Sequence, residues 1–596
     1  MPNDTIPLGR YLWTRIAQLG ITKIFGVPGD FNLTLLDHIY PVPNLSWVGN
    51  TNELNAAYAA DGYARVKQGA GCVVTTHGVG ELSALNAIAG AMTEQIKVIH
   101  VVGQTSRRMQ SERMMIHHSV GFGPDHGVFS KASREFRVAA AELQSEEGAA
   151  EEIDRVLREC FVKSGPVYIF VPIDLVDRQV PAKALETPLD LEPGFDQTTV
   201  DEAAKAVLDA IYASKSPGLF VDCLVNRRNA TAEARELVDK LGILTYTSNM
   251  GKGIIDETNP NYLGLYNGLA SAPGVESAFE THDVVLTLGN LPSDTNSGGF
   301  TRKVAPEKGI YINTDDVQIF NGKNSFSHTP IKYVLTSILK QLDPSHLPKT
   351  SKPTLPDPDL EDDHDSKLIT QSWIWTYLAQ NFFRPHDVIF GETGTAAFGI
   401  PDVTFPENVD WFTQTYYGSI GYATPAAFGA EMALVELDGK GERERGRTLL
   451  ITGDGSIMLT IQEVGNMIKQ NLSPIILLIN NAGYTIERVI HGAHQSYNDI
   501  VPFDYSHMLP FFNMSPSEAK KNFHRCETKE QLEEVLKLES VRSPKGVQVV
   551  EIVMDKLDVP WRLSTQVGTR GPEAVKEMKE AGFKVREMKK HEAFWY

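Results

Sequence analysis

Two short polar stretches of this chain carry side chains that could bind a metal ion together. The first is Gly453-Asp454-Gly455-Ser456, and the second, Asn480-Asn481-Ala482-Gly483, follows it after a spacer typical of a single crossover. Carboxylate and amide oxygens are the hard ligands that Mg²⁺ prefers, and that ion commonly also holds phosphate oxygens. Free backbone N–H groups at a helix start, here at Gly455 and Ser456, can bind a diphosphate. The two stretches therefore predict a metal-diphosphate site.

The elements around these stretches form one predicted βαβ unit. The apolar runs 448–452 and 474–480 are expected to be buried strands. In a parallel sheet the turns after both strands fall at the same edge, so Asp454 and Asn481 are predicted to converge. The Gly-Asp-Gly-Ser turn alone would also suit any strand-to-helix connection. The connecting helix is expected to offer an apolar face made of Leu459, Val464, Met467 and Ile468.

Composition limits the classes of partner. The 596 residues include 75 acidic and 56 basic side chains, a net charge of −19, which disfavours nucleic acid and anionic membranes as partners. Four widely spaced cysteines give no zinc spacing and no disulfide framework. Neither a signal peptide nor a long apolar run is evident, so a cytoplasmic protein acting on a small molecule is expected.

Alternating strand and helix patterns predict an α/β fold of three doubly wound parallel-sheet domains. The segment 140–161 is expected to be helical, and 166–172 to be the last strand of the first sheet. Proline- and acid-rich stretches at 177–199 and 342–367 are predicted linkers. The resulting domains are residues 1–185, 200–342 and 367–565, followed by a charged helical tail, 566–596.

Four further residues are candidates for chemistry, although each also has an ordinary structural explanation. Asp30 suits the turn after Pro28-Gly29, and Glu53 suits a capping box with Asn50 before a helix. The adjacent His117 and His118 lie in a glycine-bearing loop and are candidates for proton transfer near neutral pH. A transition-metal site that adds Asp125 and His126 is disfavoured, because adjacent residues rarely both converge on one ion.

Taken together, these motifs resemble a known family. The stretches 28–30, 52–54, 117–118, 392–395, 418–422, 453–456, 480–487 and 490–492 follow the order found in pyruvate decarboxylases of the fungal type, which are thiamine-diphosphate-dependent 2-oxo-acid decarboxylases. The resemblance spans about residues 5–565. It implies a pyrimidine-binding N-terminal domain, a regulatory-type middle domain and a diphosphate-binding C-terminal domain. It also implies active sites between two subunits, a homodimer and commonly a homotetramer.

The resemblance also implies individual roles. Thiamine diphosphate and Mg²⁺ would be the cofactors, with Asp454, Asn481 and the carbonyl of Gly483 as metal ligands. Catalysis would depend on Asp30, Glu53, His117, His118 and Glu487. The implied cofactor-binding residues are Glu53, Thr393, Thr395, Gly418, Ile420, Asp454, Gly455, Ser456, Asn481, Gly483, Tyr484, Thr485 and Ile486.

The sequence departs from the family pattern at two places. Only Cys223 occupies a middle-domain stretch where yeast enzymes carry a cysteine pair, so cysteine-mediated activation by substrate is doubtful. Thr295 stands where an aromatic residue is common in enzymes that prefer pyruvate, and it would line the substrate pocket with Ala397, Ile486 and Ile490. A smaller residue could enlarge this pocket toward indolepyruvate or phenylpyruvate.

The expected activity is the non-oxidative decarboxylation of pyruvate to acetaldehyde and CO₂. The alternative keeps the mechanism and changes the substrate to an aromatic 2-oxo acid. An acetolactate-synthase-like carboligase is a third hypothesis, which the His-His pair disfavours. A structural protein that kept the fold and lost activity is a fourth, and it is disfavoured because the expected polar groups are all present.

Overall fold

The computed structural model describes residues 5–356, 363 and 365–585. They form two compact units. The first unit comprises Met1–Pro193, Thr424–Arg443 and Thr460–Gln470. The second comprises Gly194–Ala423, Glu444–Leu459 and Asn471–Tyr596. The domain boundaries given above remain predictions, and residues 586–596 of the predicted tail lie outside the described residues.

The first unit contains a six-stranded sheet in which every neighbouring pair of strands is parallel. Its strand Gly71–Thr76 is buried at every position, which explains why such a strand reads as a continuous run of apolar and β-branched residues. In spatial order the strands are Ser46–Trp47, Lys23–Gly26, Gly71–Thr76, Val98–Gln104, Val167–Pro172 and Ala139–Glu142.

The edge of this sheet differs from the prediction. Residues 140–142 were expected to open a helix, whereas they belong to the strand Ala139–Glu142, which pairs with Val167–Phe170, and the helix begins only at Ala149. Val167–Pro172 is the last strand of this sheet in chain order, as predicted, and Ala139–Glu142 forms the edge beside it. Alanine favours helices intrinsically, but the hydrogen bonds to a neighbouring strand outweigh this weak preference at Ala139–Ala141.

Helices alternate with the strands of this sheet along the chain. A short antiparallel ribbon pairs Thr5–Pro7 with Gln179–Pro181. Two of the helices come from late in the chain, because segments 424–443 and 460–470 belong to the first unit. The helices are Leu8–Gln18, Leu33–Asp37, Glu53–Lys67, Val79–Thr93, Arg107–Ser111, Val128–Ala132, Ala149–Lys163, Ala423–Gly439 and Gln462–Lys469.

The helix that carries Glu53 starts differently from the prediction. Asn52 is its N-cap, and the Asn52 Oδ1 accepts from the backbone N–H groups of Leu54 and Asn55. Asn50 lies outside the helix, where its Nδ2 donates to Glu463 at 3.0 Å. The proposed capping box between Asn50 and Glu53 is therefore wrong, and helix capping does not account for the Glu53 carboxylate.

The second unit contains two sheets. The middle sheet has seven strands, of which five are parallel, while the two at one edge run antiparallel. Its spatial order is Tyr262–Leu265, Leu244–Thr247, Pro217–Val221, Val284–Leu288, Gly309–Ile312, Asp316–Ile319 and Asn324–Ser327. The other sheet is entirely parallel, in the order Asp410–Phe412, Val388–Gly391, Thr448–Gly453, Ile475–Asn480, Gln548–Val553 and Phe523–Cys526. The α/β architecture with parallel sheets is thus confirmed, with an antiparallel extension of the middle sheet.

The helices of this unit alternate with its strands. Those of the middle sheet are Gln197–Ala213, Leu224–Arg227, Thr231–Leu241, Val275–Glu280 and Ile331–Gln341. The remainder are Gln371–Asn381, Thr395–Gly399, Asp454–Thr460, Thr485–Ile490, Met508–Phe511, Pro516–Asn522, Lys529–Lys537, Glu539–Arg542, Trp561–Gly568 and Pro572–Glu580. Among the described residues, no helix combines the length and apolar character needed to cross a membrane.

The predicted crossover after Gly453 consists of two helices, Asp454–Thr460 and Gln462–Lys469, with a break at Ile461. Val464 and Met467 are buried as expected, whereas Leu459 is exposed. The prediction of a single apolar face across 459–468 is therefore wrong. The break at Ile461 separates two helices, so Leu459 does not share a face with Val464 and Met467.

Candidate active site

The two polar turns meet at the carboxyl edge of the fully parallel sheet. Strands Thr448–Gly453 and Ile475–Asn480 are direct neighbours, with Gly453 in register with Ile479. The buried Asp454 accepts a hydrogen bond from the backbone N–H of Gly483 at 3.0 Å through Oδ2 and one from Gly455 at 2.8 Å through Oδ1. Burial raises the pKa of Asp454 to about 6, so a cation beside it would stabilise the ionised carboxylate.

A cavity of about 190 Å³ opens at these turns. Its lining includes every predicted cofactor-binding residue of the second unit: Thr393, Thr395, Gly418, Ile420, Asp454, Gly455, Ser456, Asn481, Gly483, Tyr484, Thr485 and Ile486. The two turns, the 393–395 loop and the 418–420 loop thus surround one space, although they are far apart in sequence.

Glu392 shapes two of these loops and was not among the predicted site residues. It is 1% exposed, and burial raises the pKa of its carboxyl group to about 7. Its oxygens accept from the backbone N–H groups of Thr393 at 3.1 Å and Ala423 at 3.3 Å. Its place in the quoted stretch 392–395 was the signal that could have identified it.

The loop that carries Gly418 and Ile420 depends on the buried Gln414. The carbonyl of Gln414 accepts from the Gly418 N–H at 3.0 Å and from the Thr393 hydroxyl at 3.1 Å. Its side-chain oxygen accepts from the Ser419 N–H at 3.0 Å. Gly418 has a φ of 66°, a left-handed conformation that glycine adopts without strain.

A second, more open cavity of about 440 Å³ adjoins the first. Ile420, Tyr484 and Glu487 line both cavities. Glu487 therefore lies at their junction, and burial raises the pKa of its carboxyl group. The rest of the second lining is Ile490, His491, Tyr497 and Asn498. His491 and Tyr497 were not predicted to belong to the site.

Thr295 and Ala397 lie differently from the other predicted substrate-pocket residues. Among the described residues, neither lines these two cavities, whereas Ile486 lines the first and Ile490 the second. Thr295 accepts from the Gln566 side chain at 3.5 Å through its hydroxyl oxygen. Helix Trp561–Gly568, which carries Gln566, packs against the helices that carry Ala397 and Ile486.

The first unit holds four of the five predicted catalytic residues. His117 Nε2 lies 2.7 Å from Asp30 Oδ2, and one ligand-type atom from each of Asp30, His117 and His118 falls within 4.8 Å of the others. Asp125 instead contacts Lys131, and His126 contacts Thr105 and Met114, so the structure does not bring these two residues into the group. The histidine pair and Asp30 form one cluster.

Glu53 is the first residue of helix Glu53–Lys67. Its Oε1 lies 3.2 Å from the position that a Cβ would take at Gly80, so glycine at this position leaves room for the carboxylate. Burial raises the pKa of Glu53. A higher pKa favours the protonated form of a carboxyl group, which can donate as well as accept a hydrogen bond.

Two buried groups behind this cluster were missed. His77 is 0% exposed, and burial lowers the pKa of its imidazole to about 4. Glu81, with one oxygen 3.7 Å from His77 Nδ1, has its pKa raised to about 8 by burial. Glu81 also accepts from the Gly78 N–H at 2.9 Å and so closes the start of helix Val79–Thr93.

Comparison with known proteins places these features in a family. Residues 6–126 match the N-terminal TPP binding domain of thiamine pyrophosphate enzymes, residues 204–342 their central domain, and residues 391–552 their C-terminal TPP binding domain. The fold and the site thus define a thiamine pyrophosphate enzyme.

Similar proteins show to which family of thiamine pyrophosphate enzymes the chain belongs. Pyruvate decarboxylase isozyme 2 of Saccharomyces cerevisiae is 39% identical over 94% of this chain and 98% of its own length. The pyruvate decarboxylase of Kluyveromyces lactis is 40% identical over the same shares, and that of Aspergillus terreus is 39% identical over 94% and 96%. The chain belongs to the pyruvate decarboxylase family of thiamine pyrophosphate enzymes, which confirms the predicted family.

Asp454→Ala is expected to weaken binding of Mg²⁺ and thiamine diphosphate by about 100-fold or more. Removing a group that only supports a metal ligand commonly lowers metal affinity by about 10–100-fold, and Asp454 is proposed to be a ligand itself. Isothermal titration with the cofactor in excess Mg²⁺ measures this change. Asp209→Ala, which removes an exposed carboxylate of the same unit, is the matched control. Equal affinity in the two variants would contradict the metal assignment.

Glu81→Gln is expected to gain stability relative to wild type as the pH rises. In wild type the unfolded chain loses the Glu81 proton near its ordinary pKa of 4.5, while the folded protein keeps it until about pH 8, so folding stability falls between these values. Glutamine removes this loss. The Tm of the variant relative to wild type should therefore rise by about 5 °C between pH 5 and pH 8.

Thermal unfolding over this pH range measures the difference. Glu151→Gln, at an exposed position of the same unit, is the control and should show no such trend. A Tm difference for Glu81→Gln that stays constant with pH would show that the Glu81 carboxyl group titrates normally.

Proposed function

We propose that this chain catalyses the non-oxidative decarboxylation of pyruvate to acetaldehyde and CO₂ with thiamine diphosphate and Mg²⁺. The main observation in support is the position of Glu487 at the junction of two cavities, one of them lined by the predicted diphosphate turns. Membership of the pyruvate decarboxylase family supports the reaction, and the names of the relatives support pyruvate as substrate.

The residues at the two turns fit a Mg²⁺-diphosphate group. Asp454 is a buried carboxylate whose hydrogen bonds come from backbone N–H groups, so no basic side chain competes for its charge among the contacts described. Asn481 and Gly483 line the same cavity and can add an amide and a carbonyl oxygen. Gly455 and Ser456, in the first turn of helix Asp454–Thr460, can donate to phosphate oxygens.

When bound, thiamine diphosphate supplies an electron sink for the negative charge left on the substrate as CO₂ departs. Within the chain, Glu53 would hold the aminopyrimidine of the cofactor by a hydrogen bond. The Gly418 carbonyl would accept from the amino group, and Ile420 would support the cofactor from its apolar side. The left-handed Gly418 and the Gln414 hydrogen bonds keep this loop in place for that role.

The remaining acids and bases would move protons. Asp30 and His117 already share a short hydrogen bond, and His118 lies beside them. Burial raises the pKa of Glu487, which favours its protonated form relative to a free glutamate, and in that form it would donate a proton after CO₂ leaves. Release of aldehyde needs a base as well as an acid, and this set contains both.

The substrate preference rests on the second cavity. Its apolar lining includes Ile420 and Ile490, which suits the methyl group of pyruvate. An aromatic 2-oxo acid, the alternative suggested by Thr295, is not favoured, because the relatives are named pyruvate decarboxylases and, among the described residues, Thr295 lines neither cavity. The Thr295 hydroxyl instead contacts Gln566 of helix Trp561–Gly568.

We further propose that two copies of the chain form the active sites as a homodimer, which assembles further to a homotetramer in the cytoplasm. Each site would combine Asp30, Glu53, His117 and His118 of one copy with Asp454 and Glu487 of the other. Large apolar side chains near the histidine pair support association, since Met115, Val120 and Phe122 are 64%, 63% and 94% exposed.

A coupled assay with a panel of 2-oxo acids tests the reaction. With thiamine diphosphate and Mg²⁺, wild type should release acetaldehyde from pyruvate with a higher kcat/KM than for indolepyruvate or phenylpyruvate. Glu53→Gln should lower kcat by about 10²–10⁴-fold while cofactor binding persists, because an acid-base group contributes about that factor. A higher kcat/KM for indolepyruvate would favour the alternative substrate. Acetolactate as the main product would favour the carboligase. If no substrate released CO₂, the proposal would be rejected.

Subunit complementation tests the shared active site. Glu53→Gln and Glu487→Gln, each nearly inactive alone, are co-expressed with different tags so that mixed dimers can be isolated. A mixed dimer carries both changes in one site and neither in the other. It should therefore regain about half of the wild-type activity per dimer. Activity no higher than that of the separate variants would show that each site is built within one chain.

A further inference from the structure

Four aromatic rings form a continuous column that ends at the Asp30–His117 contact. His126 stacks on His77 with ring centroids 5.5 Å apart and an angle of 20°. His77 meets the edge of Phe31 at 5.8 Å and 84°. Phe31 then stacks on His117 at 5.1 Å and 21°. His117, at the outer end of the column, is 58% exposed. The other three rings, His126, His77 and Phe31, are 4%, 0% and 4% exposed.

The backbone around Phe31 is fixed on both sides. The Asn32 side chain accepts from the Gly29 N–H at 2.9 Å and donates to the Val27 carbonyl at 3.1 Å. Gly103 allows this turn to approach closely, because a Cβ there would lie 2.4 Å from the Phe31 carbonyl oxygen. The backbone that carries the Phe31 ring is therefore held in place, so the ring can pack against the imidazole of the exposed His117.

The inner end of the column is fixed by hydrogen bonds. His126 Nε2 lies 3.0 Å from the Met114 carbonyl, which can only accept, so this nitrogen carries the proton. Nδ1 then accepts from the Thr105 hydroxyl at 2.9 Å. Because Met114 is three residues before His117, His126 also ties down the start of the histidine loop.

The middle ring stays uncharged. Among the described residues, neither nitrogen of His77 makes a hydrogen bond. Burial keeps its pKa near 4, so near neutral pH His77 acts as an aromatic ring and not as an ion. Phe129 packs edge-on against it at 5.0 Å, which prevents the ring from moving sideways. The column can therefore transmit only orientation, not charge.

We propose that Phe31 is a positioning residue for the reaction, holding the His117 imidazole in hydrogen-bond contact with Asp30, and that His77 and His126 support Phe31 from behind. The catalytic part of this inference rests on the proposed function. His117 is 58% exposed and has no other packed ring on its far side among the described contacts except His118, so Phe31 supplies the principal surface against which it is ordered.

The structural part of the proposal is tested first, without any activity measurement. Crystal structures of the cofactor-loaded Phe31→Leu and Phe31→Tyr variants give the distance between His117 Nε2 and Asp30 Oδ2. Leucine should break this contact of 2.7 Å, whereas tyrosine, which keeps the ring, should preserve it. If the contact persists in Phe31→Leu, the proposal is wrong.

The catalytic part is tested by a double-mutant cycle. Because His117 would lose the ring that orders it, Phe31→Leu should lower kcat by about 10-fold with KM nearly unchanged, and Phe31→Tyr should restore it. In a His117→Asn background the same Phe31→Leu change should lower kcat by less than about 2-fold, because its target is gone. A full 10-fold loss in that background would show that Phe31 acts by another route.

Two further variants separate positioning from stability. Phe170→Leu removes a buried ring of the same unit that packs on Tyr168 instead of the column, and it should leave kcat within about 2-fold of wild type. His77→Leu removes the supporting ring and should reproduce part of the Phe31→Leu loss, whereas His77→Phe should not. If wild type decarboxylates no 2-oxo acid, the proposed function fails, while the crystal structures still decide whether Phe31 orders His117.

Discussion

The geometry of a parallel sheet is the constraint on which the candidate site depends. Because strands Thr448–Gly453 and Ile475–Asn480 run side by side in the same direction, the turns that follow them must lie at one edge. This brings a buried carboxylate, Asp454, against the backbone of Gly483. The desolvation of Asp454 is unfavourable for its charge, and a divalent cation with its phosphate ligands would compensate for it.

The candidate residues divide into two sets, one on each unit. The turns of the second unit can bind a charged diphosphate and are accompanied by Glu487, whereas Asp30, His117 and Glu53 follow different strands of a parallel sheet in the first unit. Diphosphate binding and proton transfer are the two tasks proposed for these groups. A thiamine-diphosphate-dependent decarboxylase needs both, since the cofactor must be held at one end and protonated groups presented at the other.

Much of this could be predicted from sequence, because the relevant signals are local. Apolar runs that end in glycine and aspartate identify strand ends, and the 393–395, 418–420, 453–456 and 481–486 stretches all line one cavity. The failures arose where tertiary contacts decide. Residues 139–142 pair with a neighbouring strand despite their alanines, and Asn50 contacts Glu463 instead of capping the helix. His77 and Glu81 were missed because what distinguishes them is burial, which no local pattern reveals, whereas Glu392 lay within a quoted stretch and was passed over.

The correction at Asn50 changes how Glu53 is understood. A capping carboxylate would be explained by the helix alone, but Asn52 already satisfies the first N–H groups, and Glu53 instead lies over Gly80 in a partly desolvated position. Burial raises the pKa of Glu53, so this position is unfavourable for the ionised carboxylate. A hydrogen-bonded partner at the carboxyl group would offset that cost, and the proposed reaction supplies one in the aminopyrimidine of the cofactor.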